Sequence, residues 1–291
     1  MLAMNGGHVS QYKMPTTAPG GLPVVAVPTT AGTGSECTRA TIITDSATQE
    51  KMLCMGDGIM PRAALVDYTL TLSMPYRLTA DSGLDALCHA MEAYVSRKAN
   101  AFADLHALAA MRAIPSALRI VCMYAVRPGG HPASADASSA RAARESLMAA
   151  ATHAGIAFSN ASVTLIHGMS RPIGAAFHVP HGLSNAMLLP TVTAFSLSGA
   201  PRRYAEAALA MGFAEDSDDA ALAGAKLVAG LRSLCTDLQV PTPREYGIDR
   251  GVYFASLQTM VEQALASGSP GNNPRIPTAD EIEALYREAY G

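Results

Sequence analysis

The sequence predicts a short α/β segment followed by an all-helical domain, on three observations. Two apolar runs of strand length, 22–27 and 63–67, lie before Pro75. After Pro75 the apolar residues recur at helical spacing and continue to do so. Hydrophobic residues make up 49% and charged ones 15% of the 291, with 15 Met and no Trp, which fits helices packed on helices around compact, flexible side chains. The boundary is placed between 1–74 and 75–291.

Residues 1–21 are turn-rich, with Gly6-Gly7 and Gly20-Gly21 as breakers. The continuous run Leu22-Pro-Val-Val-Ala-Val27 reads as a buried parallel strand. It leads into Thr29-Thr-Ala-Gly-Thr-Gly-Ser35, whose small residues would let amides and hydroxyls approach a polyanion or a sugar; a plain Gly/Thr turn has the same composition. Thr38–Thr44 and Lys51–Met55 read as a hairpin around Asp45-Ser46, and Ala63–Asp67 as another short buried strand.

Thr79 is placed as N-cap of the helix that carries Asp85, His89 and Glu92. A second helical run covers 104–124 and is expected to break near Pro115. Pro128–Pro132 reads as a loop with His131 exposed, and Ser134 or Asp136 would cap an Ala-rich helix ending near 153–155. His106 and His153 read as core or surface residues. Pro180 restricts the backbone before His181, which would open a helix running through Leu188. Residues 201–291 form Pro-punctuated amphipathic helices, the last starting at a capping box, Thr278-Ala-Asp-Glu281.

A net charge of −3 without a basic block argues against a nucleic-acid partner. No apolar run of about 18 residues lacks breakers, which argues against a membrane span. No basic segment precedes an apolar stretch at the N-terminus, so no signal peptide is expected. Five cysteines, an odd number without paired spacing, suit a reducing cytoplasm.

The chemistry concentrates in two stretches. Asp85 and His89 are four apart, so on a helix both face one side. His167 and His181 bracket Gly168, Pro172, Gly174 and Pro180, read as bending the path back to one point. One carboxylate and three imidazoles suit a mononuclear transition-metal site acting as a Lewis acid. The same spacing suits a hydrogen-bonded helix pair with core histidines, and spacing alone does not choose between them. Cys88 turns about 100° from His89 and reads as core.

Four blocks in order, Pro28–Glu36, Ala64–Asp67, Gly83–Glu92 and His167–Gly182, resemble the iron-containing (group III) alcohol dehydrogenases. The resemblance implies metal ligands at Asp85, His89, His167 and His181, with Fe(II) as the ion and Zn(II) chemically acceptable. It implies NAD or NADP approached by Thr29, Thr30, Thr33, Thr38 and Lys51, and a small alcohol or aldehyde substrate. It also implies a homodimer for a full-length member, and makes 1–74 the remnant of a Rossmann-like dinucleotide-binding sheet ahead of an all-helical metal-binding domain. Two features depart from the pattern. Arg171 stands where many members carry His, and a guanidinium is no general base, so either proton release runs through another group or water, or Arg171 holds an anionic substrate or a cofactor phosphate. The upstream Gly-Gly-Gly-Ser phosphate turn is not in the sequence. The expectation is therefore an N-terminally truncated member, with Met1 an internal methionine of a longer reading frame or the chain a truncated gene product, an unpaired apolar sheet edge, and very weak cofactor binding and turnover. The alternatives are a maleylacetate-reductase-like or dehydroquinate-synthase-like enzyme, or a non-catalytic metal-binding remnant.

Overall fold

The computed structural model describes residues 2–14, 16–46, 51–125 and 138–291. The N-terminal part holds a short helix α1 (Leu2–Asn5) and four strands: β1 (Val25–Ala26), β2 (Ala40–Thr44), β3 (Lys51–Met55) and β4 (Ala63–Ala64). β2 and β3 pair antiparallel, from Ala40 opposite Met55 to Thr44 opposite Lys51, which is the expected hairpin. β1 and β4 pair parallel, Val25 with Ala63 and Ala26 with Ala64. The two runs read as buried strands are corrected here. Leu22, Val25 and Leu65 are 59%, 58% and 58% exposed. Each strand is two residues long with one neighbour, and neither is buried on both faces as a parallel strand in a covered sheet would be.

The helical part is organised around α2 (Tyr76–Val95), buried at every position from Gly83 to Val95. Its Ala, Leu, Cys and Met residues pack into the core around the buried polar positions Asp85, His89 and Glu92, so the helix is enclosed on all sides over this stretch. Its N-cap is Pro75, with φ −67. Thr79 instead lies one turn inside, buried, its hydroxyl donating to the Met74 carbonyl at 3.4 Å. Proline lacks an N–H and has φ already set, so it opens the helix before a hydroxyl cap is needed.

Around α2 pack α3 (Ala101–Tyr124), capped by the Asn100 side chain, and α4 (Ser138–Ala161). The expected break near Pro115 does not occur: Pro115 is buried inside a continuous α3. A mid-helix proline costs about 3 kcal/mol, and packing against α2 and α4 on either side offsets it. α3 is long and apolar enough to cross a membrane by length and composition, yet half of its most apolar window is buried inside the protein. α4 runs past the expected end at 153–155, since Ala154, Ala157 and Ala161 continue its buried stripe. The expected loop 128–132 with His131, and the caps Ser134 and Asp136, lie outside the described residues.

α5 (Leu165–Phe177) and α6 (His181–Ser196) follow, with Pro172 and Pro190 inside them. His181 opens α6 as expected, but the helix passes Leu188 and ends at Ser196. The remainder is α7 (Pro201–Ala210), α8 (Ala220–Asp237), α9 (Arg250–Ala255), α10 (Leu257–Ala266) and α11 (Ala279–Ala289). α11 carries its capping box: Thr278 Oγ1 accepts from Glu281 N at 3.2 Å, and Glu281 Oε2 from Thr278 N at 2.8 Å.

Two glycine contacts seat the Thr29–Ser35 loop on this bundle. A Cβ on Gly32 would meet Ser82 Cβ of α2 at 2.5 Å. Gly34, at φ +57, lies against Gly155 of α4, and a Cβ on either would collide with the other's backbone. Gly155→Ala therefore tests the fold with an unusual sign. Helix propensity favours alanine by about 1 kcal/mol, whereas the contact demands a net loss of about 1–3 kcal/mol from overpacking. Urea unfolding is expected to show destabilisation; a stabilised variant would mean that the loop is not seated there.

Candidate metal centre

Asp85, His89 and Glu92 occupy positions i, i+4 and i+7 of α2 and so share one face. α5 brings His167 in its first turn, and α6 brings His181 as its first residue. The bend expected from Gly168, Pro172 and Gly174 is corrected: all three lie inside α5. The reversal occupies only 178–180, with His178 left-handed at φ +55 and Pro180 as N-cap of α6. Gly168 serves packing, since a Cβ there would stand 2.9 Å from Pro270 Cδ.

The four ligand atoms lie within 4.8 Å of one another. Asp85 Oδ1 is 3.8 Å from His89 Nε2, 3.4 Å from His167 Nε2 and 3.7 Å from His181 Nε2. Bonds of about 2.1 Å to a tetrahedral ion put neighbouring ligand atoms about 3.4 Å apart. The residues present therefore fit a transition-metal ion. Asp85, His89 and His167 are buried, whereas the His181 side chain is 49% exposed, so the cluster opens on the His181 side. Stacking orients the His89 ring, with Phe158 at 4.2 Å and His167 at 4.5 Å between centroids.

Two further residues, neither given a task from the sequence, complete the centre. Glu92 Oε2 takes the His167 Nδ1 hydrogen bond at 2.6 Å, while its Oε1 accepts from the Thr164 hydroxyl at 2.8 Å and from Ile166 N at 2.6 Å. A carboxylate behind a ligating imidazole fixes its tautomer and ring orientation. Asn185, one turn after His181, points Nδ2 at Asp85 Oδ1, 2.7 Å away. The available signal for both was helical spacing: Glu92 is i+3 from His89, and Asn185 is i+4 from His181.

Electrostatics divides the imidazoles. Burial would raise the Asp85 carboxyl, but His89 and then the His167 and His181 side chains hold it well below the usual carboxylate range. Burial pushes His89 down to about 3, so it is neutral and its nitrogen is available to an ion. His167 goes the other way: against burial, Glu92 and Asp85 pull it up to about 9. Binding of an ion through His167 Nε2 would require that nitrogen to be unprotonated.

Of the residues expected at the cofactor, Thr29 and Thr33 are exposed and Thr30 is half-buried on the loop seated against α2 and α4. Thr38 is buried, and its hydroxyl bonds the backbone carbonyls of Ser35 and Ala40 at 3.1 and 3.0 Å, so its side chain is used within the turn. Lys51 pairs with Thr44 in the hairpin; its side chain lies outside the described residues. Arg171 is half-buried one turn after His167 and donates to Ser269 Oγ at 3.3 Å. Cys88 is fully buried in the core, as expected.

The sequence matches two family models: the Fe-containing alcohol dehydrogenase family, C-terminal, over residues 79–290, and iron-containing alcohol dehydrogenase over residues 1–68. It is 38% identical over 284 residues to the bifunctional aldehyde-alcohol dehydrogenase of Escherichia coli (strain K12), covering 92% of this chain and 30% of that protein. It is 36% identical over 289 residues to 1,3-propanediol dehydrogenase of Klebsiella pneumoniae, covering 99% of this chain and 70% of that one. The crystal structure of a 1,3-propanediol oxidoreductase superposes with a TM-score of 0.89 at 33% identity, covering 99% of this chain and 72% of that chain.

Glu92→Gln keeps the shape but removes the charge behind His167. Affinity for a divalent ion is expected to fall by about 10–100-fold, measured by competition with a chromophoric chelator. Unchanged affinity would show that Glu92 does not support the ligand.

Proposed function

Because the chain belongs to the iron-containing alcohol dehydrogenase family, we propose that it is a metal-dependent oxidoreductase interconverting a small alcohol and its aldehyde or ketone with NAD or NADP. The observation that carries this reading is the convergence of Asp85 Oδ1 and three imidazole nitrogens within 4.8 Å, open to one side. We take the ion to be iron(II) on the family's account; three imidazoles and a carboxylate also accept zinc. Residues 1–74 then form the cofactor-side portion and 75–291 the metal-binding domain. Five free cysteines support a reducing, cytoplasmic setting.

Held by Asp85, His89, His167 and His181, an ion would supply Lewis acidity, and a nicotinamide cofactor would supply hydride-transfer capacity. The chain's own residues set the conditions for that chemistry. Asp85 contributes the one negative charge among the ligands, and burial keeps water from its inner side. His181 flanks the opening through which a substrate oxygen would enter. Thr29, Thr30 and Thr33 stand on a loop fixed to Ser82 and Gly155. Ser82 is one turn before Asp85, and Gly155 is one turn before Phe158, the residue stacked on His89. The loop that would meet the cofactor is thus seated on α2, which carries Asp85 and His89, and on α4, which carries the ring stacked on His89. Arg171, cationic at all working pH values, would bind rather than exchange protons.

Metal analysis with NADH and NADPH oxidation across a panel of small aldehydes tests the reading; metal-free protein that turns over aldehydes equally well would refute it. His181→Ala, at a half-exposed position, should leave a folded protein that loses bound ion and activity together. Stoichiometric ion retained in that variant would remove His181 from the ligand set. Arg171→Ala should raise KM or alter the substrate range while leaving the pH optimum in place. A pH profile displaced by about a unit or more with KM unchanged would show instead that Arg171 governs proton transfer.

A further inference from the structure

Asn185 stands inside the metal centre without belonging to the four-ligand set. It is fully buried on α6. Its Nδ2 lies 2.7 Å from Asp85 Oδ1, 3.1 Å from His167 Nε2 and 3.3 Å from His181 Nε2. Its Oδ1 is buried and has no hydrogen-bond partner among the described residues. Leaving a buried carbonyl unmatched is costly, so this orientation is held by what the Nδ2 side gains.

That gain has an electrostatic origin. The carboxylate oxygen and the ring nitrogens that would face an ion gather within 3.8 Å of Asp85 Oδ1. Asp85 Oδ1 and the ring nitrogens left unprotonated, those of His89 among them, turn lone pairs toward one another, and donors between them keep the side chains from turning apart. An amide nitrogen carries the positive end of a dipole and two N–H donors. One N–H is committed to Asp85 Oδ1, and the other faces the His167 and His181 ring nitrogens. The amide sits on α6 one turn from His181, so it ties α6 to α2 through Asp85 at the level of the site. An apolar side chain has no N–H to offer there.

We propose that Asn185 is a positioning residue of the metal centre, whose amide N–H groups hold Asp85, His167 and His181 facing one point before an ion arrives. The ligand set then needs little rearrangement on binding, and the ion's affinity loses little to reorganisation. This inference rests on the metal reading above, and its test leaves alcohol turnover aside.

Two variants separate positioning from space-filling. Asn185→Leu keeps the branched shape and removes both donors. Asn185→Asp keeps the shape but sets a second carboxylate beside Asp85. Each is titrated with Co(II), followed by visible absorbance, and its Tm is measured with and without the ion. The Leu variant is expected to bind Co(II) about 10–100-fold more weakly than wild type. The Asp variant is expected to have a lower Tm without metal and a larger Tm rise with Co(II), because the ion relieves the carboxylate repulsion. A folded Leu variant that binds Co(II) within about threefold of wild type overturns the proposal. If the Leu variant does not fold, the Asp variant decides: a Tm rise equal to that of wild type overturns it. Wild-type protein that takes up no Co(II) overturns the metal reading and this inference with it, a result distinct from uptake that is insensitive to Asn185.

Discussion

Asp85 and Glu92 put two carboxylates on the most enclosed helix of the molecule, 2% and 1% exposed, and a buried charge has to be matched. Within α2 itself, His89 is the residue set beside Asp85. The other partners arrive from α5 and α6: His167, His181 and Asn185 for Asp85, and Thr164, Ile166 N and His167 for Glu92. His167 joins the two acids, with Nδ1 on Glu92 and Nε2 facing Asp85. The path between α5 and α6 has to be short enough to return both histidines to α2. A left-handed His178 followed by Pro180 achieves this in three residues.

A second, steric constraint fixes what lies beside that cluster. The loop bearing Thr29, Thr30 and Thr33 meets α2 at Gly32 and α4 at Gly34, both through approaches that exclude a side chain. The small residues of this stretch suggested backbone closely approaching a ligand. In the folded chain, two of them are consumed in approaching helices, and the hydroxyl of Thr38 is consumed in the turn. What remains outward is threonine. The same reassignment applies to Gly168, which admits Pro270 rather than bending α5.

Features carried by nearest neighbours along the chain were legible from the residues. The i,i+4 pair Asp85 and His89, the opening of α6 at His181, the β2–β3 hairpin and the Thr278–Glu281 capping box depend on backbone within a few residues, and each lies where the spacing put it. The order of the four blocks identified the family, and with it the two histidines that join the pair. Local rules failed where distant packing outweighed them. Pro115 and Pro172 read as a break and a bend, but each sits inside a helix whose burial exceeds the loss of one hydrogen bond.

Burial and partnership were decided only by the tertiary structure. The runs 22–27 and 63–67 are apolar enough for a covered sheet, yet several of their side chains are exposed, because burial depends on which elements lie against a strand and not on its own composition. Glu92 and Asn185 carry recognisable spacings, but those spacings are common on helices. Their roles come into being only when α2, α5 and α6 cross at one point, since a hydrogen bond of under 3 Å requires atoms that are 75 or 100 residues apart in sequence to meet. The sequence determined which side chains can bind a cation and roughly where each helix begins. The crossing of three helices determined that they face one another, because a dry interior admits two carboxylates only where donors converge on both.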